Sequence, residues 1–103
     1  MSGTNWRHGG ALLAEQLARL GCDRVFCVPG ESYLAALDGF HDQAIELVTC
    51  RHEAGAAVMA EADGKLTGRP GVAFVTRGPG ATHGSIGVHI AQQDSTPMLL
   101  FVG

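Results

Sequence analysis

Val72-Ala73-Phe74-Val75-Thr76-Arg77-Gly78-Pro79-Gly80-Ala81-Thr82 is the stretch that decides how the rest of the chain is read. Its apolar start suits a strand, and the glycine-rich segment Arg77–Thr82 suits a loop leading into a helical stretch near His83–Gln92. The same alternation continues in both directions. Downstream, Pro97 opens a last apolar strand, Met98–Val102. Upstream, Glu53–Leu66 is rich in Ala, Met and Glu, all good helix formers, and Gly68 and Pro70 stop it. Before it lies a strand, Ile45–Cys50, interrupted only by Glu46 and Thr49. Further back, Leu34, Leu37 and Phe40 share one face of a helix. Val25-Phe26-Cys27-Val28 is a short unbroken apolar run, as expected of a strand covered on both faces, and Pro29-Gly30 breaks it. Leu13, Leu17 and Leu20 recur at helical spacing ahead of Gly21, which offers a C-terminal stop.

Helices of this length between buried strands imply right-handed βαβ crossovers, a parallel sheet and a three-layer α/β fold. A chain of 103 residues holds one domain, read here as residues 1–103. The series of elements ends on a strand with no helix to cover it. The expectation is therefore a domain incomplete at its C-terminus, marginally stable or associated with something that covers the exposed face.

Bulk properties narrow the function. With 46% hydrophobic and 17% charged residues the sequence is that of a globular protein and too apolar for disorder. A net charge of -3 gives no electrostatic reason to expect nucleic acid or an anionic membrane as partner. No apolar run approaches bilayer-spanning length, and Met1–Gly10 lacks the basic start and apolar core of a signal peptide. A cytoplasmic location is expected. Cys22, Cys27 and Cys50 include no C-x-x-C pair and read as reduced structural thiols. His8, His41, His52, His83 and His89 show no zinc-ligand spacing, so no metal ligand is assigned.

In open parallel sheets, ligands bind outside the carboxyl ends of the strands. The residues just after the strands are Pro29-Gly30-Glu31, Arg51-His52-Glu53 and Arg77-Gly78-Pro79-Gly80, and the topology gathers them on one edge. Glu53 stands in the first turn of its helix, where a carboxylate complements the helix dipole or serves chemistry. The segment Gly78–Gly84 is neither G-x-G-x-x-G nor a P-loop and lacks the P-loop lysine. As a tight turn with close backbone approach to a flat ligand it is reasonable. A flavodoxin-like or Rossmann nucleotide binder needs a phosphate loop after the first strand, where Val28-Pro29-Gly30-Glu31-Ser32 supplies one glycine.

Four segments then carry a resemblance in order: Arg51-His52-Glu53-Ala54-Gly55-Ala56-Ala57, Thr67-Gly68-Arg69-Pro70-Gly71-Val72, Thr76-Arg77-Gly78-Pro79-Gly80-Ala81-Thr82 and Asp94-Ser95-Thr96-Pro97-Met98. Together with Val28-Pro29-Gly30 they resemble the N-terminal, pyrimidine-binding domain of thiamine-diphosphate-dependent enzymes of the acetolactate synthase type. The resemblance runs from Ala11 to Gly103.

It implies that Glu53 contacts N1′ of the cofactor's aminopyrimidine and shares a proton with it. The 4′-imine so favoured removes the thiazolium C2 proton, which is acid–base catalysis exerted through the cofactor. It implies that Pro29 and Gly30 line the pyrimidine and substrate side, and that Thr76, Gly78, Pro79 and Gly80 shape the pyrimidine pocket. His83 departs from the family's usual Asn: an imidazole titrates near neutral pH, so it serves as a proton donor or fills the same space in the pocket. Glu31 caps the second helix or faces a substrate, Arg51 and His52 orient Glu53, meet a neighbouring subunit or are simply solvated, Asp94 caps backbone N–H groups in a turn, and Asp63 lies at the surface.

The family's Mg²⁺ and diphosphate are held by a separate C-terminal domain with a G-D-G … N segment, and this sequence contains none. The implied function is the front part of a 2-oxo acid decarboxylase or carboligase. The implied partner is a second copy in a homodimer or a chain carrying the diphosphate domain. By itself the chain is not expected to be active. The alternative is a non-catalytic binding or dimerisation module, or one half of a split enzyme.

Overall fold

The computed structural model describes residues 7–103. Most of the Met1–Gly10 segment read for a signal peptide lies outside the described residues. From Gly9 onward the chain alternates helix and strand: α1 (Gly9–Arg19), β1 (Arg24–Cys27), a 3-10 turn (Glu31–Tyr33), α2 (Leu34–Phe40), β2 (Glu46–Thr49), α3 (Glu53–Thr67), β3 (Gly71–Val75), α4 (Gly78–Asp94) and β4 (Met98–Val102).

All strand pairs are parallel, in the order β2-β1-β3-β4. β3 is buried along its whole length, as its unbroken apolar run demands. Its side chains alternate between two cores. Val72 and Phe74 join Ala14, Leu17, Val25, Tyr33, Ala36 and Phe40 beneath α1 and α2. Ala73 joins Phe26, Ala56 and Ala60 beneath α3. The molecule is thus the three-layer α/β fold expected from the alternation.

Small residues set the spacing of the helix layers. A Cβ at Gly87 of α4 would lie 2.5 Å from Ala57 Cβ of α3, and one at Gly39 of α2 would lie 2.6 Å from the Gly10 carbonyl of α1. In each pair the backbones therefore touch, which no larger side chain permits. The helix stops stand where glycine marks them: Gly68 caps α3 in the left-handed conformation at φ 74°.

Three readings of the sequence need correction. The glycine-rich segment Arg77–Thr82 is not a loop, because α4 already begins at Gly78 with Pro79 in its first turn. Proline suits that position, where its missing N–H would have no helical partner and its fixed φ is already helical. The buried face of α2 is not Leu34, Leu37 and Phe40: Leu34 is 61% exposed, while Tyr33, Ala36 and Phe40 are buried. The 3-10 turn that precedes the helix shifts the phase by its tighter winding. Leu20 ends up 79% exposed because it caps α1 rather than continuing it.

The three cysteines are free thiols, as read. Cys27 belongs to the core beneath α1 and α2 and Cys50 packs against the opposite one. Although Cys50 N–H donates to the Cys27 carbonyl at 2.7 Å, their side chains serve opposite faces and cannot meet in a disulfide. No helix among the described residues is long and apolar enough to cross a membrane.

Candidate functional site at the carboxyl edge of the sheet

The connection leaving β1 runs to β2 on one side, and the connection leaving β3 runs to β4 on the other. β1 and β3 are therefore the adjacent strands at which the winding direction reverses, and a crevice opens at their carboxyl ends. Gly30 and Thr76 face each other across it. A Cβ on Gly30 would lie 3.3 Å from Thr76 Cβ, so glycine lets the two strand ends approach. Ser32 Oγ and Thr76 Oγ1 then share a hydrogen bond of 2.7 Å.

Tyr33 ties the same two strands from below. Its hydroxyl donates to the Val28 carbonyl and reaches the Phe74 carbonyl at 3.4 Å. Burial, with the nearby Cys27 and Glu53 charges, pushes its pKa up, so the phenol stays protonated and keeps donating. Neither Ser32 nor Tyr33 was singled out from the sequence. Their signal was available for Tyr33 alone, as the missing member of the buried series with Ala36 and Phe40.

Glu53 opens α3, one turn above the end of β2. His52 caps this helix: its Nδ1 accepts from Ala54 N–H at 3.0 Å. The side chain of Glu53 is only 14% exposed, and its Oε1 lies 3.2 Å from His83 Nδ1. The Glu53 carboxyl is held below the usual range by its own backbone N–H first, then, against the opposing effect of burial, by the hydrogen bond and charge of His83 and the charge of His52. An ionised carboxylate only accepts, so the shared proton sits on His83 Nδ1. The His52 and His83 rings lie 4.6 Å apart at 35°. α3 and α4 are brought into register for this by the Ala57–Gly87 contact, one turn further along each helix.

These facts yield an expected result. In His83→Ala the Glu53 pKa should rise part of the way toward its ordinary value, since the backbone N–H remains. Because the folded-state pKa is depressed, the carboxylate adds stability above the ordinary Glu range, and that stability is lost as pH falls through the folded value. The variant should lose part of this acid-side dependence. Carbon-13 titration of the Glu53 carboxyl in both proteins measures it, and identical values would rule it out.

The remaining residues read from the sequence fall as follows. Pro29 and Gly30 leave β1 at the crevice, Pro29 exposed and Gly30 half-buried. Gly78 and Pro79 are exposed in the first turn of α4. Gly80 is buried, and a Cβ there would lie 2.9 Å from Thr76 Cγ2. Glu31 is exposed in the 3-10 turn and Arg51 is exposed before α3.

Asp63 is not at the surface as expected: its side chain is 14% exposed and lies 3.8 Å from Arg24. Asp94 binds Lys65 Nζ at 2.5 Å in place of the expected backbone capping. Lys65 also reaches the buried Glu61 at 3.0 Å, and Glu61 accepts from Thr96 Oγ1 at 2.6 Å. This network, far from the crevice, pins α3 to the turn before β4.

The crevice suits a flat heteroaromatic ring with one acceptor-seeking edge. It offers a largely covered carboxylate, glycine backbone without side-chain bulk at Gly30 and Gly78, and open space beside Gly78. Thiamine diphosphate has such a ring in its aminopyrimidine. The chain matches the family "Thiamine pyrophosphate enzyme, N-terminal TPP binding domain" over residues 7–103. It belongs to that family, whose cofactor is thiamine diphosphate.

Among curated proteins it is similar to the catabolic acetolactate synthase of Raoultella terrigena, at 39% identity over 95% of this chain and 18% of that one. Acetolactate synthase of Bacillus subtilis is 39% identical over 92% of this chain and 17% of its own length. A probable 2-ketoarginine decarboxylase of Pseudomonas aeruginosa is 40% identical over 88% of this chain and 16% of its own. The chain thus spans less than a fifth of the length of these relatives, and the acetolactate synthase-like N-terminal domain is the part it matches.

Proposed function

We propose that this chain holds the aminopyrimidine of thiamine diphosphate against Glu53, as one domain of an enzyme acting on a 2-oxo acid. The observation that carries the reading is the position of Glu53. It is a largely covered, ionised carboxylate at the carboxyl edge of the sheet, in a chain of the thiamine pyrophosphate enzyme family. When bound, the cofactor supplies the electron sink for decarboxylation and subsequent carboligation or release. What the chain contributes is narrower. Glu53 exchanges a proton with the ring nitrogen at N1′. Pro29, Gly30, Thr76, Gly78, Pro79 and Gly80 would hold the ring at this edge of the sheet. His83 closes the site beside Glu53 and holds the proton on Nδ1 until the pyrimidine replaces it.

Diphosphate and Mg²⁺ fall to a separate domain, on a second copy of a longer protein or on a partner chain. The relatives named acetolactate synthase and 2-ketoarginine decarboxylase support the 2-oxo acid class. The free thiols agree with a cytoplasmic setting.

The pyrimidine half of the cofactor, 4-amino-5-hydroxymethyl-2-methylpyrimidine, tests the binding role directly. Titrated into the nitrogen-15-labelled chain, it should shift the amide signals of Gly30, Glu53, Thr76, Gly78 and Gly80. Shifts confined to the opposite edge of the sheet, where Leu17, Cys22, Arg69 and Leu99 line a cavity of about 90 Å³, would overturn the assignment.

A further inference from the structure

Thirty residues separate Glu53 from His83, yet the fold sets the tilted rings of His83 and His52 against each other and both beside one carboxylate. One potential ligand atom from each of His52, Glu53 and His83 lies within 4.8 Å of the others. We propose that these three side chains form a binding site for a divalent transition-metal ion of the zinc class. The site goes beyond the cofactor reading and does not depend on it.

Distances support the donor pair. Two ligand atoms about 2.0–2.1 Å from a tetrahedral zinc centre stand roughly 3.3 Å apart. Glu53 Oε1 and His83 Nδ1 already stand 3.2 Å apart. A metal ion therefore replaces the shared proton with little movement of either group. His52 is the third ligand. In the metal-free chain its Nδ1 accepts from Ala54 N–H, which leaves the proton on Nε2. The metal is therefore taken either at Nδ1 in place of that bond or at Nε2 with the proton moved to Nδ1. Its ring is exposed, and releasing the capping bond lets it turn to close the last distance.

The ligand set chooses the metal. Two imidazoles and one carboxylate suit Zn²⁺, Co²⁺, Ni²⁺ or Cu²⁺, whereas Mg²⁺ and Ca²⁺ require oxygen donors. His83 is 52% exposed, so the fourth position is open to water. The N-terminus of α3 carries partial positive charge, which opposes a cation and weakens binding. A metal ion held here occupies the Glu53 carboxylate and so competes with any other partner of that group.

The test uses Co²⁺ and Zn²⁺ alone with the purified chain and no cofactor. Co²⁺ should give the intense visible bands of a four-coordinate site with one-to-one stoichiometry. Zn²⁺ should displace it, and millimolar Mg²⁺ should not. His83→Asn, His52→Asn and Glu53→Gln should each weaken binding at least about tenfold, since loss of an outer partner alone costs ~10–100-fold. His41→Asn and His89→Asn should leave it unchanged. Far-UV circular dichroism confirms that each variant folds, and Glu53→Gln keeps the side chain's shape.

Equal affinity in wild type and all three site variants overturns the proposal, as does loss of binding in His41→Asn or His89→Asn. Displacement by Mg²⁺ overturns it as well. None of these outcomes bears on pyrimidine binding, which is read separately by the amide shifts of the pyrimidine titration.

Discussion

Glu53→Gln is expected to slow exchange of the cofactor's thiazolium C2 proton by ~10²–10⁴-fold, the usual contribution of a positioned acid–base group. The measurement follows from the proposed function and is made with a diphosphate-holding domain present, on the same or a partner chain. Glutamine has the shape of glutamate and still fills the place beside His83. It cannot share a proton with the ring nitrogen. At the first position of α3 the lost charge costs only some tenths of a kcal/mol through the helix dipole, so the fold should survive. Cofactor affinity should fall far less than exchange. Quenched hydrogen–deuterium exchange, read on the C2 signal of bound cofactor, separates the two effects. Exchange at the wild-type rate with cofactor bound would remove Glu53 from its proposed role.

The largest effect on stability should come from Phe74→Ala. Phe74 is 2% exposed near the carboxyl end of β3. It stacks on Phe101 at 4.6 Å, meets Phe40 edge-on at 5.3 Å and lies 5.6 Å from Tyr33. Truncating a buried phenylalanine costs about 3–5 kcal/mol, against a total of roughly 5–15 kcal/mol for a domain. The loss is a large part of that total, so the urea midpoint should fall steeply. Leu66→Ala is the control: Leu66 is 87% exposed and its loss should stay within about 0.5 kcal/mol. Urea denaturation followed by circular dichroism measures both. A midpoint for Phe74→Ala no lower than that of Leu66→Ala would contradict the packing described above. The consequence reaches the site, because Phe74 supports Tyr33, whose hydroxyl ties the ends of β1 and β3.

The fold class was legible because apolar runs and glycine stops recur with two distinct periods along the chain. Val72–Val75 reads as a doubly covered strand from its residues alone, and it is one. Gly68 reads as a helix stop because only a left-handed residue serves there. The edge on which chemistry collects was legible too, since parallel topology sends every strand's carboxyl end to the same side. Glu53 could be placed on that edge from its position after β2.

Other features depended on contacts between residues distant in sequence. Gly78-Pro79-Gly80 looks like a loop because glycine and proline break helices in their interiors. Only docking on Thr76 makes these residues a first turn. Asp63 and Asp94 look like surface or turn residues until the layers assemble and bring Arg24 and Lys65 to them. The pairing of His83 with Glu53, and of both with His52, has no linear spacing to reveal it.

By itself, then, the sequence determined which segments form most of the strands and helices, and on which edge of the sheet the candidate site residues gather. Local propensity and topology suffice for that. The tertiary structure alone decided which side chains touch there. Contact across thirty residues is set by how closely two helices approach, and here that distance is governed by the missing side chain of Gly87 against Ala57.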